Sequence, residues 1–232
     1  IMIADINLPI VFAGLMALSV IVYAILDGYD LGVGILLPLS NDKQADQMIA
    51  SIGPFWDANE TWLVLAVGLL LIAFPSAHNV ILKALYIPTA IMLVGLILRG
   101  VAFDFRAKVA QVNKHHWNRI FKLGSCIAST SQGYMLGSFV MGFEDSVSAY
   151  VFATISAIGV TCAYALIGST WLILKTSDEL QLEAIKWAKL AGKVSFLGIL
   201  AVCIVNPLIN QFVFLGGCYR KERRKVNFFE VT

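Results

Sequence analysis

Charge is scarce in this chain. Of 232 residues, 14% are Asp, Glu, Lys or Arg, while 59% are hydrophobic, and mean hydropathy is +0.79. Soluble domains carry about 25% charged and about 45–50% apolar residues, so a water-soluble enzyme and a nucleic-acid-binding module are excluded. Cysteine is scarce too. Cys126, Cys162 and Cys203 sit singly in apolar runs with no CxxC spacing, which excludes a disulfide scaffold or zinc site and reads as small buried hydrophobes. Histidine is missing from the apolar runs: His78 falls in a short outer loop, and His115 and His116 fall in a basic one. No phosphate loop or dinucleotide fingerprint is present. Met16, Met92, Met135 and Met141 read as core filling rather than haem ligands, so the chain shows no metal site and no redox centre of its own.

What the chain has in abundance is long apolar runs. Approximate segments are 8–39, 48–74, 79–103, 122–143, 149–174 and 194–216. Each is long enough to cross about 30 Å of hydrocarbon at about 1.5 Å per residue. The short alternating segments of a closed barrel are absent. The expected fold is all-α, a polytopic transmembrane helix bundle of six spans. The first run lacks a basic leader and continues into further spans, so it reads as a first helix rather than a cleaved signal.

Basic residues orient the bundle. Lys43 lies in the first loop, Arg106, Lys108, Lys114, Arg119 and Lys122 in or beside the third, and Lys175, Lys186, Lys189 and Lys193 in the fifth. The opposite loops hold Lys83, Glu144 and Asp145. The positive-inside rule then puts these basic loops in the cytoplasm and the N-terminus outside. Residues 218–232 form an atypical basic tail that breaks this rule. In the fifth loop, Thr176-x-x-Glu179 has capping-box spacing. It predicts a helix from about Asp178 that starts at the membrane surface and runs toward the sixth span, with a solvated connector as the alternative.

The informative residues are ionisable groups within apolar runs: Asp27 and Asp30 in span one, Asp57 and Glu60 in span two, Arg99 and Asp104 near the end of span three. A charge at the bilayer centre costs roughly 2.5–3.5 kcal/mol on insertion scales, and such groups mark ion pairs or proton relays. With the helices alternating in direction, all six gather in the cytoplasmic half. Asp27/Asp30 and Asp57/Glu60 are i,i+3 pairs that each share a helix face. Arg99 is expected to offset Asp27 or Asp30, and the remaining carboxylates form a candidate proton inlet. Structural ion pairing is the plainer alternative. Gly28 and Gly32, spaced small-xxx-small, and Gly34 allow a neighbouring backbone to approach. Gly53-Pro54 is expected to bend span two beside Trp56 and Asp57, while Trp56 and Trp62 also suit interfacial anchoring.

These residues carry a resemblance. Asp27-Gly28-Tyr29-Asp30-Leu31-Gly32-Val33-Gly34 resembles the DG[FY]D-x-G-V-G signature of subunit II of cytochrome bd-type quinol oxidases. Pro54-Phe55-Trp56-Asp57-Ala58-Asn59-Glu60-Thr61-Trp62 is similar to that family's P-x-W-D-[GA]-N-[QE]-x-W segment, its Glu60 variant being closer to the cyanide-insensitive branch. Arg99 to Arg106 resembles the R-x-[VI]-x-F-[DE]-[FY]-R end of its third helix, and Asp178-Glu179-Leu180-Gln181 its G-E-L-Q-like helix start. Similarity extends over about 5–216.

The resemblance implies a heterodimer in a bacterial inner membrane. A partner subunit I would hold two haems b, haem d and the quinol site, a small accessory subunit can join, and membrane lipid surrounds the complex. This chain would bind no haem and contribute no catalytic residue. It would support quinol-driven reduction of oxygen to water, with Asp57 matching a position linked to a proton path. The family has eight spans in two four-helix bundles. Here 1–217 would form the transmembrane domain, with a first bundle over about 8–143 and a partial second over about 149–216. The chain therefore reads as about two helices short, as from a truncated or frameshifted reading frame. A proton-coupled membrane transporter is the alternative function, although it calls for an internal repeat that is not evident.

Overall fold

The computed structural model describes residues 7–39, 41–109 and 113–217, with only the backbone described at 201 and 203–217. Seven α-helices follow one another: α1 Leu8–Leu36, α2 Asp42–Ile52, α3 Trp56–Ala73, α4 Pro75–Lys108, α5 Lys114–Val140, α6 Val147–Lys175 and α7 Asp178–Gly217. Among the described residues there is no strand.

Local chemistry sets the boundaries. Pro38 disfavours helical geometry at Leu37, where ψ swings to 123° and α1 stops. Asn41 then caps α2, its side chain accepting from Gln44 N at 3.2 Å. Ala45, Met48, Ile49 and Ile52 of α2 are buried, the single apolar stripe of a helix lying against a bundle. At the next boundary, Pro75 occupies the first turn of α4, where a missing N–H costs nothing. Ser146 caps α6 by accepting from Ala149 N.

The expected second span over 48–74 is two helices rather than a bent one. Residues 53–55 turn between α2 and α3, so the segment that can cross begins at Trp56. The count of six spans is corrected as well. Four described helices are long and apolar enough to cross a membrane: α1, α3, α4 and α6. The expected fourth span falls on α5, whose Ser, Thr, Gln and Gly lower its hydropathy. Several of those hydroxyls bond back to their own helix, as in Ser125 to Phe121 O at 2.9 Å and Thr130 to Cys126 O at 2.6 Å. The expected sixth span, 194–216, belongs to the end of α7, where side chains at 201 and 203–217 (Cys203 among them) lie outside the described residues. The basic tail, 218–232, also lies outside them. The helix expected from about Asp178 is present as α7. Thr176 does not serve as its capping box, because its hydroxyl donates backward to Leu172 O at 2.6 Å.

Helix α1 is the hub, packing on α6, α3, α5 and α2, while α4 lies on α5, α5 on α6, and α6 on α7. Glycine makes these crossings close. A Cβ added at Gly32 would lie 2.0 Å from Tyr164 O and 2.7 Å from Gly168 N, so α1 and α6 touch backbone to backbone. Gly95 and Gly124 do the same for α4 and α5. One core cluster gathers Val33, Leu37, Met48, Ile52, Phe121 and Leu172; a second gathers Leu31, Met92, Leu96, Ala128 and Tyr164. Outward positions are strongly apolar, with Ile72, Val147 and Leu174 each 80% exposed, as a lipid-facing surface requires.

Candidate functional site

The Gly32–Gly168 contact pulls α1 into the bundle and turns its two aspartates inward. Asp27 is 0% exposed, and Asp30 is also buried. Arg99 of α4 is buried too. Its Nη2 lies 2.7 Å from Asp27 Oδ1 and also pairs with Glu60 Oε1 of α3. A single guanidinium therefore ties α1, α3 and α4 together. Of the two partners expected for Arg99, Asp27 or Asp30, the structure places Asp27 against it, and Glu60 is the second partner. Asp30 pairs instead with Asn59, whose Nδ2 donates to Asp30 Oδ2 at 2.9 Å and weakly to Leu26 O at 3.4 Å.

The six expected charges do not all converge. Glu60, with a side chain 28% exposed, forms the rim of the cluster. Asp57, one turn earlier on α3, is exposed and close enough to act electrostatically on Glu60. Asp104 is exposed near the end of α4 and joins none of these contacts. Trp56 is half-buried and packs on Phe103 with ring centroids 4.8 Å apart, bracing α3 on α4. Trp62 is half-buried on α3. Gly28 lies under the Tyr164 ring, where an added Cβ would meet Cδ1 at 3.1 Å, and Gly34 faces Ser125, where it would meet Oγ at 2.0 Å. The histidines are placed in helical turns rather than loops, His78 in α4 and His115 and His116 in α5.

Charge counting gives the site its chemistry. One cation faces three carboxylates, Asp27, Glu60 and Asp30, so full ionisation would leave two net negative charges in an apolar bundle. Like charges sharing a site, with one cation between them, cannot all stay ionised away from water. Arg99 Nε and Nη1 are buried without hydrogen-bond partners among the described residues, so the guanidinium has donors to spare for polar groups that enter.

Two groups of residues were not legible in the sequence. Tyr23 and Tyr164 lie beside Asp27 and are linked through Gln132. A second polar knot joins α2, α4 and α5. Arg106 Nε donates to Asn118 Oδ1 and its Nη2 to Asp46 Oδ1, both at 2.6 Å. Lys114 Nζ reaches Asp46 at 3.2 Å, and Asn118 Nδ2 donates to Asp42 at 3.2 Å. Burial would raise the Asp46 carboxyl, but hydrogen bonds from Arg106 and Lys114 outweigh it and hold it below the ordinary carboxylate range.

The whole described bundle, not the cluster alone, has known relatives. The model of the family described as cytochrome bd terminal oxidase subunit II matches residues 8–222, somewhat past the expected limit of similarity at 216. "Cytochrome bd ubiquinol oxidase subunit 2" of Bacillus subtilis (strain 168) is 32% identical over 205 residues, covering 83% of this chain and 61% of that protein. "Cytochrome bd-I ubiquinol oxidase subunit 2" of Escherichia coli (strain K12) is 28% identical over 200 residues, covering 79% and 53%. "Probable cytochrome oxidase subunit 2" of Haemophilus influenzae is 26% identical over 184 residues, covering 72% and 49%. The chain thus spans roughly half to three-fifths of the length of these relatives. With its family model matched over nearly its whole length, the chain belongs to the cytochrome bd terminal oxidase subunit II family.

Proposed function

We propose that this chain acts as the haem-free subunit II of a membrane-bound quinol:oxygen oxidoreductase of the aerobic respiratory chain. It pairs with a subunit I that carries two haems b, haem d and the quinol site, and it contributes a proton inlet from the cytoplasm. The observation that carries the reading is the Arg99 cluster, with its one cation, three carboxylates and a partly exposed rim. Family membership supports the partner and the reaction class.

The proton route follows from exposure and spacing. Asp57, exposed on the first turn of α3, takes a proton from water. Glu60 lies one turn deeper, on the same face by i,i+3 spacing, and bridges Asp57 electrostatically to the buried site. Arg99 keeps the deeper carboxylates from repelling the next charge. The unpartnered Arg99 nitrogens suit a hydrated path, since water bridges buried polar groups that lack protein partners. On this reading the N-terminus faces outward, the basic loop between α4 and α5 faces the cytoplasm of a bacterial cell, and the chain resides in the inner membrane with lipid around it. A small accessory subunit is compatible with the same arrangement.

The test uses membranes bearing the complex. Asp57→Asn and Glu60→Gln should slow quinol-driven oxygen consumption several-fold while haem content stays unchanged. Unaltered turnover in both would remove the proton role. Purification of the chain without any haem-bearing partner would remove the oxidase reading itself.

A further inference from the structure

The end of the bundle remote from the Arg99 cluster holds a cavity of about 790 Å³ between α4, α5 and α6. Pockets that take small molecules measure roughly 300–1,000 Å³. The rim is exposed and charged, with Lys83 on α4 and Glu144 and Asp145 in the turn from α5 to α6. Ser131, Ala149 and Ala157 are buried at the floor. Lys83 and Arg99 both lie on α4, separated by about 24 Å of helix at about 1.5 Å per residue. The cavity therefore belongs to the membrane face opposite the basic α4–α5 loop.

Local structure builds the rim. Gly142 and Phe143 both adopt the left-handed region, at φ 66° and 59°, which is uncommon for a residue with a side chain. Phe143 N donates to Ser138 O at 2.9 Å, and this tight turn carries the two carboxylates that follow it to the cavity. Tyr150 donates its hydroxyl to Asp145 Oδ1 and fixes that side chain. Pro88, inside α4, has no N–H for the carbonyl four residues earlier. That carbonyl belongs to Ala84, which lines the cavity. The hydroxyls of the walls are turned back into their own helices: Ser138 donates to Tyr134 O at 3.0 Å and Thr154 to Tyr150 O at 2.8 Å. With Leu85 and Ile91 beside them, the walls offer mainly apolar surface and the rim carries the free polar groups.

The pattern of charge selects the occupant. Lys83 and Glu144 line one cavity, yet neither side chain forms an ion pair or hydrogen bond with other described residues. A ligand that carries both signs answers both. A phosphate suits the Lys83 ammonium. A primary ammonium brings three N–H donors, which suit Glu144, the remaining lone pairs of Asp145 and the Ala84 carbonyl. Two carboxylates against one lysine leave the rim negative, which disfavours a headgroup of net negative charge. A quaternary choline has no N–H to donate. We propose that the cavity holds one phosphatidylethanolamine, its headgroup across the Lys83–Glu144–Asp145 rim and part of an acyl chain against the walls of α4, α5 and α6.

The experiment is native mass spectrometry of the chain purified from membranes with the subunits that accompany it. The preparation is exchanged into nanodiscs of phosphatidylethanolamine, phosphatidylcholine or phosphatidylglycerol, and the lipids that stay bound are counted. One phosphatidylethanolamine per chain should remain, several-fold more often than either competitor. The double variant Glu144→Gln/Asp145→Asn should erase that preference, and Lys83→Gln should lower retention of every phospholipid several-fold. Thr154→Trp, at an exposed wall position, should remove the bound lipid by filling the cavity. If Thr154→Trp does not accumulate, the rim variants carry the test, since their side chains are exposed. Equal retention of the three lipids, or retention that none of the variants alters, would overturn the assignment. A quinone or a protein segment found there in place of the lipid would overturn it too. The count is independent of oxygen consumption, so its failure leaves the proposed oxidase role standing.

Discussion

Arg99 and Arg106 are seven residues apart on α4, two turns along one face, and each is buried against carboxylates from other helices. Their surroundings nevertheless differ in charge count. Arg106 and Lys114 meet Asp46, with Asn118 tying in Asp42. Two cations face two carboxylates, and the knot closes with no charge left over. Arg99 stands alone against Asp27, Glu60 and Asp30. A balanced set has no reason to hold a proton and acts as a clamp between α2, α4 and α5. An unbalanced set in an apolar bundle favours protonation of one member, which is what the proposed proton inlet needs. The same residue type on one helix thus sits in a balanced or an unbalanced set of charges, and the proposed function rests on that difference.

Removing the cation should break the comparison most sharply. Arg99→Leu would strand buried carboxylates, and losing one partner of a buried ion pair costs about 3–5 kcal/mol. The expected outcome is loss of subunit from the membrane, read as the absence of haem-bearing complex. Gly32→Val comes next. Its Cβ would lie 2.0 Å from Tyr164 O, forcing α1 from α6 and displacing Asp27 from Arg99. Overpacking costs typically about 1–3 kcal/mol, so a lower Tm and reduced complex yield are expected, with Gly14→Ala, where nothing lies within 4 Å of the added Cβ, as the harmless control.

The smallest effect belongs to the balanced knot. Asp46 is 35% exposed, so solvent and salt screen its pairing. Its carboxyl is depressed in the fold, and the sign follows directly. The stability it contributes is present above the ordinary carboxylate range and is lost as pH falls through the depressed value. Thermal unfolding of the wild type should therefore soften slightly on strong acidification, while Asp46→Asn starts a little less stable and lacks that component. Oxygen consumption at neutral pH should be unaffected by Asp46→Asn in assembled complex.

Much of this was legible in the sequence. Apolar runs located the helices because hydropathy is a local property, and charges inside those runs stood out because few are tolerated there. Helix direction and depth brought Arg99 to the Asp27/Asp30 pair, but not to Asp27 in particular, which only the packing of α1 on α4 through Asp27 decides. The break at Gly53-Pro54 was visible as a bend, but whether two helix fragments continue or separate depends on the burial of Met48 and Ile52 against other helices. Helix α5 was harder. Its hydroxyls are satisfied within its own turns, which composition does not reveal. The Tyr23–Gln132 and Asp46–Lys114 contacts join residues 109 and 68 positions apart, and no short-range pattern encodes such a pairing.

The central claim is that the Arg99 cluster stores a proton and the Arg106 knot does not. Infrared difference spectroscopy of the assembled complex, following the stretching band of protonated carboxyl groups, tests it directly. Glu60→Gln should remove or shift part of that band while Asp46→Asn leaves it intact. A band unchanged by Glu60→Gln, or one lost in Asp46→Asn, would contradict the account.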